Sequence, residues 1–107
     1  MYSVNGNNIY LTRGDYLCIE LDLSRSGNAY VPQSGDSIRF AVKRTIKDRV
    51  PIFTKDIPID TLRLELDPSD TKLMNFGTYK YDMEFRDGEG RVDTFLLGNF
   101  IITEEVH

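Results

Sequence analysis

The sequence predicts an all-β protein, an antiparallel β-sandwich of about seven strands with at most one short helical turn. Its clearest strand spans residues 76–85, where Tyr79, Tyr81, Met83 and Phe85 occupy every second position. A period of two places these four side chains on one face of a strand. Several other short segments alternate in the same way, and turn signals separate them. A strand with one apolar face needs a second layer to cover it, which favours a sandwich.

Length and charge limit the possible partners. A chain of 107 residues forms a single domain over residues 1–107, long enough to bury about two-thirds of its unfolded surface. The net charge of −4 repels phosphate and anionic lipid, so we expect neither nucleic acid nor membrane as a partner. Cys18 is the only cysteine, which excludes an internal disulfide. The N-terminus lacks the basic flank and apolar run of a signal peptide.

The first half of the chain contains three predicted strands. Asn5-Gly6-Asn7-Asn8 is a turn, and residues 9–11 follow it as a short strand at a sheet edge. Residues 16–23 alternate strongly, with Leu17, Ile19, Leu21 and Leu23 on one face. Residues 24–35 are rich in Ser, Gly, Asn and Pro and form a surface connection. Residues 38–42 are the next strand.

The second half continues the pattern. Pro51 makes residues 50–56 suitable for an edge strand, and residues 61–66 alternate with three leucines inward. Asp67 and Pro68 predict one or two helical turns at 67–75. Asp87-Gly88 predicts a hairpin between residues 76–85 and a return strand at 91–103. The apolar pattern changes phase within that strand, which we explain by a bulge near Gly98, and residues 104–107 are a polar tail that frays.

The residue types argue against an enzyme. His107 is the only histidine and it is terminal, so neither a Ser–His pair nor a three-histidine metal site can form inside the fold. A pair of carboxylates could in principle serve a glycosidase. However, the acids alternate with apolar residues as on a solvated sheet face, and a small sandwich has little room for a cleft. We therefore expect no catalytic residues, no cofactor and no metal.

Three further patterns have an ordinary structural explanation. Arg13-Gly14-Asp15 spells an integrin-binding tripeptide, but Gly35-Asp36 opens another strand in the same way without an arginine. The acids of the hairpin around Asp87 could bind calcium, although their spacing matches no known calcium loop and basic residues lie close by. The basic cluster at 43–49 lacks aromatic residues for base stacking. It is a solvated loop, or it meets an acidic protein partner.

The segment Asn75 to Tyr81 carries more specific information. It resembles the corner before the next-to-last strand of immunoglobulin-like domains, in which a tyrosine hydroxyl bonds to upstream backbone. Tyr79 is the corner tyrosine in this comparison. Tyr81 occupies the place where antibody domains have a cysteine, and the chain has no tryptophan. The resemblance is therefore to the wider immunoglobulin-like architecture.

Along nearly the whole chain, the order of several segments resembles small phage and prophage proteins related to the immunoglobulin-like N-terminal domain of siphophage baseplate upper proteins. The segments that carry this resemblance are Leu11–Asp15, Gly35–Lys43, Leu66–Thr71, Gly77–Asp82 and Asp87–Val92. The resemblance implies a non-enzymatic virion or tail component, located in the virion or in the bacterial cytoplasm before assembly. It also implies docking to other phage structural proteins or to copies of itself.

The expected interface lies on two surfaces. One is the 50–56 edge, with Val50, Ile52 and Phe53. The other is the return strand, where Phe95, Leu97 and Ile101 lie outside if Leu96, Phe100 and Ile102 face inward. The main alternative is a stand-alone carbohydrate- or ligand-binding sandwich, which would use Tyr10, Tyr16 or Tyr30. A cell-surface adhesin is a third possibility, disfavoured by the missing export sequence.

Overall fold

The computed structural model describes residues 1–25, 27–45 and 47–104. The predicted tail beyond residue 104, with His107, lies outside the described residues. Strands make up most of the described secondary structure, together with one helix of four residues. The elements are β1 Tyr2–Asn5, β2 Asn8–Thr12, β3 Leu17–Glu20, β4 Ser24–Arg25, β5 Asn28–Ala29, β6 Ser37–Lys43, β7 Phe53–Ile57, β8 Arg63–Leu66, α1 Pro68–Thr71, β9 Gly77–Arg86 and β10 Val92–Thr103.

Six of these strands form one sheet in the order β1-β2-β10-β9-β6-β7. The segment 50–56 was predicted to be an edge, and β7 indeed ends the sheet. The prediction that residues 9–11 form an edge is wrong, because β1 pairs with β2 through the turn at Gly6. The expectation of a purely antiparallel fold is also wrong, because β2 runs parallel to the C-terminal part of β10. The other pairs in this sheet are antiparallel.

A second sheet consists of β3 and β8, and its buried leucines complete the core. Leu17, Leu64 and Leu66 are fully buried in the same hydrophobic cluster as Phe40 and Phe100 of the six-stranded sheet. The strand predicted at 16–23 ends early at Glu20. Its partner β8 begins at Arg63, which pairs with Glu20. The preceding Leu62 turns away with a positive φ of 55°.

The hairpin of β9 and β10 lies at the centre of the large sheet. Tyr79, Tyr81 and Met83 are buried as the alternation predicts, and Phe85 packs against the same cluster. The predicted bulge exists, but it lies between Thr94 and Leu96 rather than near Gly98. Gly98 serves a different purpose. A Cβ there would overlap the Asn7 carbonyl oxygen and lie 2.8 Å from Cε1 of Tyr81, so only glycine allows the β1–β2 turn to approach β10.

Two tyrosine hydroxyls tie this hairpin to its surroundings. The Tyr79 hydroxyl donates to the Asn75 carbonyl oxygen at 2.8 Å, which is the corner contact predicted from the sequence. The Tyr81 hydroxyl donates to the Asn7 carbonyl oxygen at 2.6 Å. Burial raises the pKa of Tyr81 above its ordinary value because the charged phenolate would lose its hydration. Both contacts fix the ends of loops against the buried face of β9.

The predicted short helix is α1, with Asp67 as N-cap and Pro68 in its first turn. The Asp70 side chain accepts from the Asp67 amide at 2.8 Å, as in a capping box. Asp70 also forms an ion pair at 3.1 Å with Lys55 of β7. The helix is thereby connected to the edge of the large sheet.

Candidate docking surfaces

The outer face of β10 presents two of the expected interface residues. Leu97 pairs with Asp82 and Ile101 with Thr78, so both point away from the core, as predicted. Leu97 is 49% exposed and Ile101 is half-buried. Tyr10 of β2 lies opposite Ile101 and extends the apolar surface. We call Tyr10, Leu97 and Ile101 the outer patch.

The β7 edge presents a second, separate surface. Val50 is 80% exposed and Ile52 is 44% exposed. The sequence also predicts Phe53 as an outer residue, but its side chain is partly buried. It pairs with the buried Val42, and its ring lies 6.2 Å from that of Phe40, centroid to centroid. Two strands separate β7 from β10, a distance of roughly 14 Å. The predicted interface residues therefore do not form one patch.

Phe95 belongs to neither surface. The sequence placed it outside, but the bulge inserts one additional residue before Leu96 and reverses the alternation at this point. Phe95 and Leu96 consequently both pack against the core cluster. Phe95 lines an open groove of about 500 Å³ between the chain that follows β3 and the β9–β10 hairpin.

The floor of this groove is apolar and partly aromatic. The Tyr30 ring meets the Phe85 ring edge-on, with 5.6 Å between their centroids. The Tyr30 hydroxyl donates to Asp36 at 2.8 Å, which holds the ring in place. The half-buried side chains of the floor are those of Leu21, Leu23, Tyr30, Phe85, Phe95 and Leu96.

The rim of the groove is acidic. Glu20, Asp22, Asp87 and Asp93 line it, and among the described lining residues Arg91 is the only cation. Glu20 is paired with Arg63 at 3.2 Å, and Arg91 with Asp87 at 3.0 Å. Within the described part of the chain, neither Asp22 nor Asp93 has a cation within ion-pair distance. We call this feature the acidic groove.

In the described residues, the backbone edge of β10 that faces the groove has no strand partner over its first part. β10 pairs with β2 only from Phe100 to Thr103. In the described residues no strand pairs with the opposite edge of its first part, from Val92 onward. Across the groove β3 has β8 as its only strand neighbour within the described sheets. An extended segment could therefore add to β10 here by backbone hydrogen bonds.

The turn beside the groove is organised by Asp87. Its carboxylate accepts from the backbone amides of Glu89 and Arg91, each at 2.9 Å. The backbone hydrogen bond from Arg91, followed by that from Glu89 and by the charge of the Arg91 guanidinium, lowers the pKa of Asp87 below its ordinary value. Glu89 pairs with Arg91 as well. These contacts link the residues of the hairpin end beside the groove to one another.

The other acids that suggested a calcium site have cationic neighbours. Asp82 lies 3.7 Å from Lys43, and Glu84 lies 3.7 Å from Arg86. Among the described residues, no group of three or more His, Cys, Asp or Glu side chains converges as a metal site would require. Asp82, Glu84, Asp87 and Glu89 of the β9–β10 hairpin are thus arranged as ion pairs.

The Arg13-Gly14-Asp15 segment is held by structural contacts. The Arg13 guanidinium lies 4.2 Å above the Phe76 ring and donates to the Met74 carbonyl oxygen at 3.3 Å. The Gly14 amide donates to the Thr71 hydroxyl at 3.2 Å, and Asp15 pairs with the N-terminal ammonium group. The segment connects β2 to the region around α1.

Sequence reasoning missed the groove itself. Tyr30 was placed in a surface connection, and Leu21 and Leu23 were placed in a strand. Only the bulge brings them together with Phe95, and a bulge position depends on cross-strand pairing. No helix in the described residues has the length and apolarity needed to cross a membrane. No family model, curated protein or solved structure matches the chain.

Proposed function

We propose that this protein is a non-enzymatic structural component of a phage or prophage virion, of the tail or baseplate type. It acts by docking to other structural proteins or to itself, in the virion or in the bacterial cytoplasm before assembly. We further propose that the six-stranded sheet and the β3–β8 sheet form an immunoglobulin-like β-sandwich. The shared core of both sheets and the hydrogen bond from Tyr79 to Asn75 support this architecture.

The outer patch is the observation on which the docking role rests. Leu97 is half exposed on an otherwise polar sheet face, beside Ile101 and Tyr10. Asp82 and Glu84 of β9 flank this apolar strip on one side, and Lys43 of β6 lies next to Asp82. An apolar centre with a charged rim is the usual anatomy of a protein–protein interface.

The test uses particles of the phage or prophage that encodes the chain. The chain should co-purify with tails at a fixed ratio to another tail protein. The double substitution Leu97→Asp and Ile101→Asp should abolish this incorporation, provided circular dichroism shows a folded protein. Leu73→Asp is the matched control, because Leu73 is 95% exposed and lies after α1, outside the outer patch. Absence of the wild-type chain from particles would refute the proposal.

The groove supports a second candidate function, a carbohydrate- or ligand-binding module. Its aromatic floor with Tyr30 and Phe85 could stack on a sugar ring, and the acidic rim could accept hydroxyl hydrogens. Tyr10 and Tyr16, the other tyrosines considered for this role, do not line the groove. A glycan-array signal that disappears on Tyr30→Ala and persists on Tyr16→Ala would favour this alternative.

A further inference from the structure

We infer that the occupant of the acidic groove is the basic loop of a second copy of this chain, so that copies assemble head to tail. The basic loop is the connection from β6 to β7, residues 44–52, of which 44–45 and 47–52 are described. This inference rests on the proposed docking function and names the partner.

The two features lie at opposite ends of the molecule. β6 and β9 are antiparallel, with Ser37 opposite Arg86 and Lys43 opposite Lys80. The acidic groove adjoins the Arg86 end, whereas the basic loop begins directly after Lys43. Six residues of strand separate the two ends by about 20 Å. The loop of one molecule therefore cannot reach its own groove, but it can reach that of a neighbour.

The charges of the two features are complementary. Within the described residues, the Arg44, Lys47 and Arg49 side chains have no carboxylate within ion-pair distance, and the basic loop carries a single acid, Asp48. The acidic groove has the corresponding carboxylates, Asp22 and Asp93, which lack a cation partner within the described residues. The overall charge of −4 opposes self-association. Screening limits that repulsion to about 8 Å at physiological ionic strength. The charges in direct contact therefore decide whether two copies attract or repel each other.

The apolar surfaces also correspond. Among the described residues of the basic loop, Val50 and Ile52 are the exposed apolar side chains, at 80% and 44%. The groove offers the half-buried floor around Phe85 and Phe95, together with the unpaired edge of β10. The basic residues of the loop thus match the acidic rim of the groove, and the following Val50-Pro51-Ile52 matches its apolar floor. A contact between two different surfaces propagates into a ring or a filament.

Charge reversal tests this contact. Light scattering of the wild type should give a mass that rises above 12.3 kDa with concentration and falls again when salt is raised from about 0.05 to 0.5 M. The variant Asp22→Lys with Asp93→Lys should stay monomeric, as should Arg44→Glu with Arg49→Glu. An equimolar mixture of the two variants should regain the associated mass, because each then offers what the other lacks.

The matched control is Asp56→Lys with Asp60→Lys, which changes the net charge equally at exposed positions outside the groove lining. It should associate at least as well as the wild type. A wild type that remains monomeric up to about 1 mM would overturn the inference, whatever other ligand the groove binds. So would a mixture of the two reversed variants that stays monomeric while the wild type associates.

The two proposals fail in different ways. If the chain is present in particles but monomeric in solution, the head-to-tail contact is wrong and the virion function stands. If the chain associates as described but is absent from particles, the contact stands and the virion function is wrong.

Discussion

The Tyr79 hydroxyl is the single contact that connects the sequence pattern most directly to the structure. It donates to the Asn75 carbonyl oxygen at 2.8 Å and fixes the corner through which the chain enters β9. The ring itself is 6% exposed and packs in the core. Removing the hydroxyl alone therefore deletes one buried hydrogen bond and leaves the packing intact.

We expect Tyr79→Phe to lower the free energy of unfolding by about 1 kcal/mol, the usual net value of such a bond. Tyr10→Phe is the control. Tyr10 also lies on a strand, but its hydroxyl has no hydrogen-bond partner among the described residues, and its removal should change stability by less than about 0.5 kcal/mol. Urea unfolding of the three proteins gives both differences. Equal effects of the two substitutions would contradict the corner contact.

Single residues also show what the sequence could and could not predict. The tyrosine corner could be read from the spacing of Asn75, Gly77 and Tyr79, because its partner is only four residues away. The sequence marks Gly98 as the site of a bulge, but the bulge lies between Thr94 and Leu96. Glycine is required at position 98 because Asn7 and Tyr81 approach it closely, and they do so only in the folded sheet. Local contacts leave a signal in the sequence, whereas long-range contacts of this kind do not.

Among the elements, the turn between β9 and β10 depends on the charge of Asp87. The carboxylate accepts hydrogen bonds from two backbone amides and forms an ion pair with the Arg91 guanidinium. Its pKa in the folded state therefore lies below the ordinary value of 3.8. A lowered folded-state pKa contributes stability that is fully present above the unfolded pKa. This contribution is lost as the pH falls through the folded pKa.

We therefore expect the difference in unfolding free energy between wild type and Asp87→Asn to be constant above about pH 5 and to shrink below it. Urea unfolding at a series of pH values measures this difference. Asp60→Asn is the control, since Asp60 is exposed and has no ion pair within the described residues. A difference that does not vary with pH would show that the charge of Asp87 does not stabilise the turn.

Elements were predicted well where alternation was long and poorly where pairing decided their limits. β6, β9 and β10 follow their alternating residues closely. β3 is shorter than its pattern because its partner β8 begins only at Arg63. β1 was missed because its four residues are all exposed and give no buried face to recognise. The turn Asn5-Gly6-Asn7-Asn8, with Val4 and Ile9 beside it, was the available signal for that hairpin.

At the scale of the whole molecule, the surfaces point in several directions. The outer patch lies on one sheet face, the basic loop at one end and the acidic groove at the other, along a body of 45 × 27 × 23 Å. The six interface residues expected from the sequence are consequently divided. Leu97 and Ile101 lie in the outer patch, Val50 and Ile52 in the basic loop and Phe95 in the groove, whereas Phe53 packs against the core.

This division could not be obtained from the sequence. Whether an apolar side chain faces outward depends on strand parity, and the bulge at Phe95 changes that parity once within β10. Charge complementarity between the two ends likewise depends on the direction of each strand in the sheet. With several distinct surfaces, the same chain could contact copies of itself at its ends and a different protein across its sheet.

The most direct test of the docking role is photo-crosslinking within assembled particles, with a photoreactive amino acid in place of Leu97 and, separately, in place of Leu73. Position 97 should crosslink to a tail protein or to a second copy, whereas position 73, which is more open to solvent but lies outside the proposed docking surfaces, should give little product. A chain that incorporates but crosslinks equally from both positions, or only from position 73, would contradict the assignment of the outer patch as its docking surface.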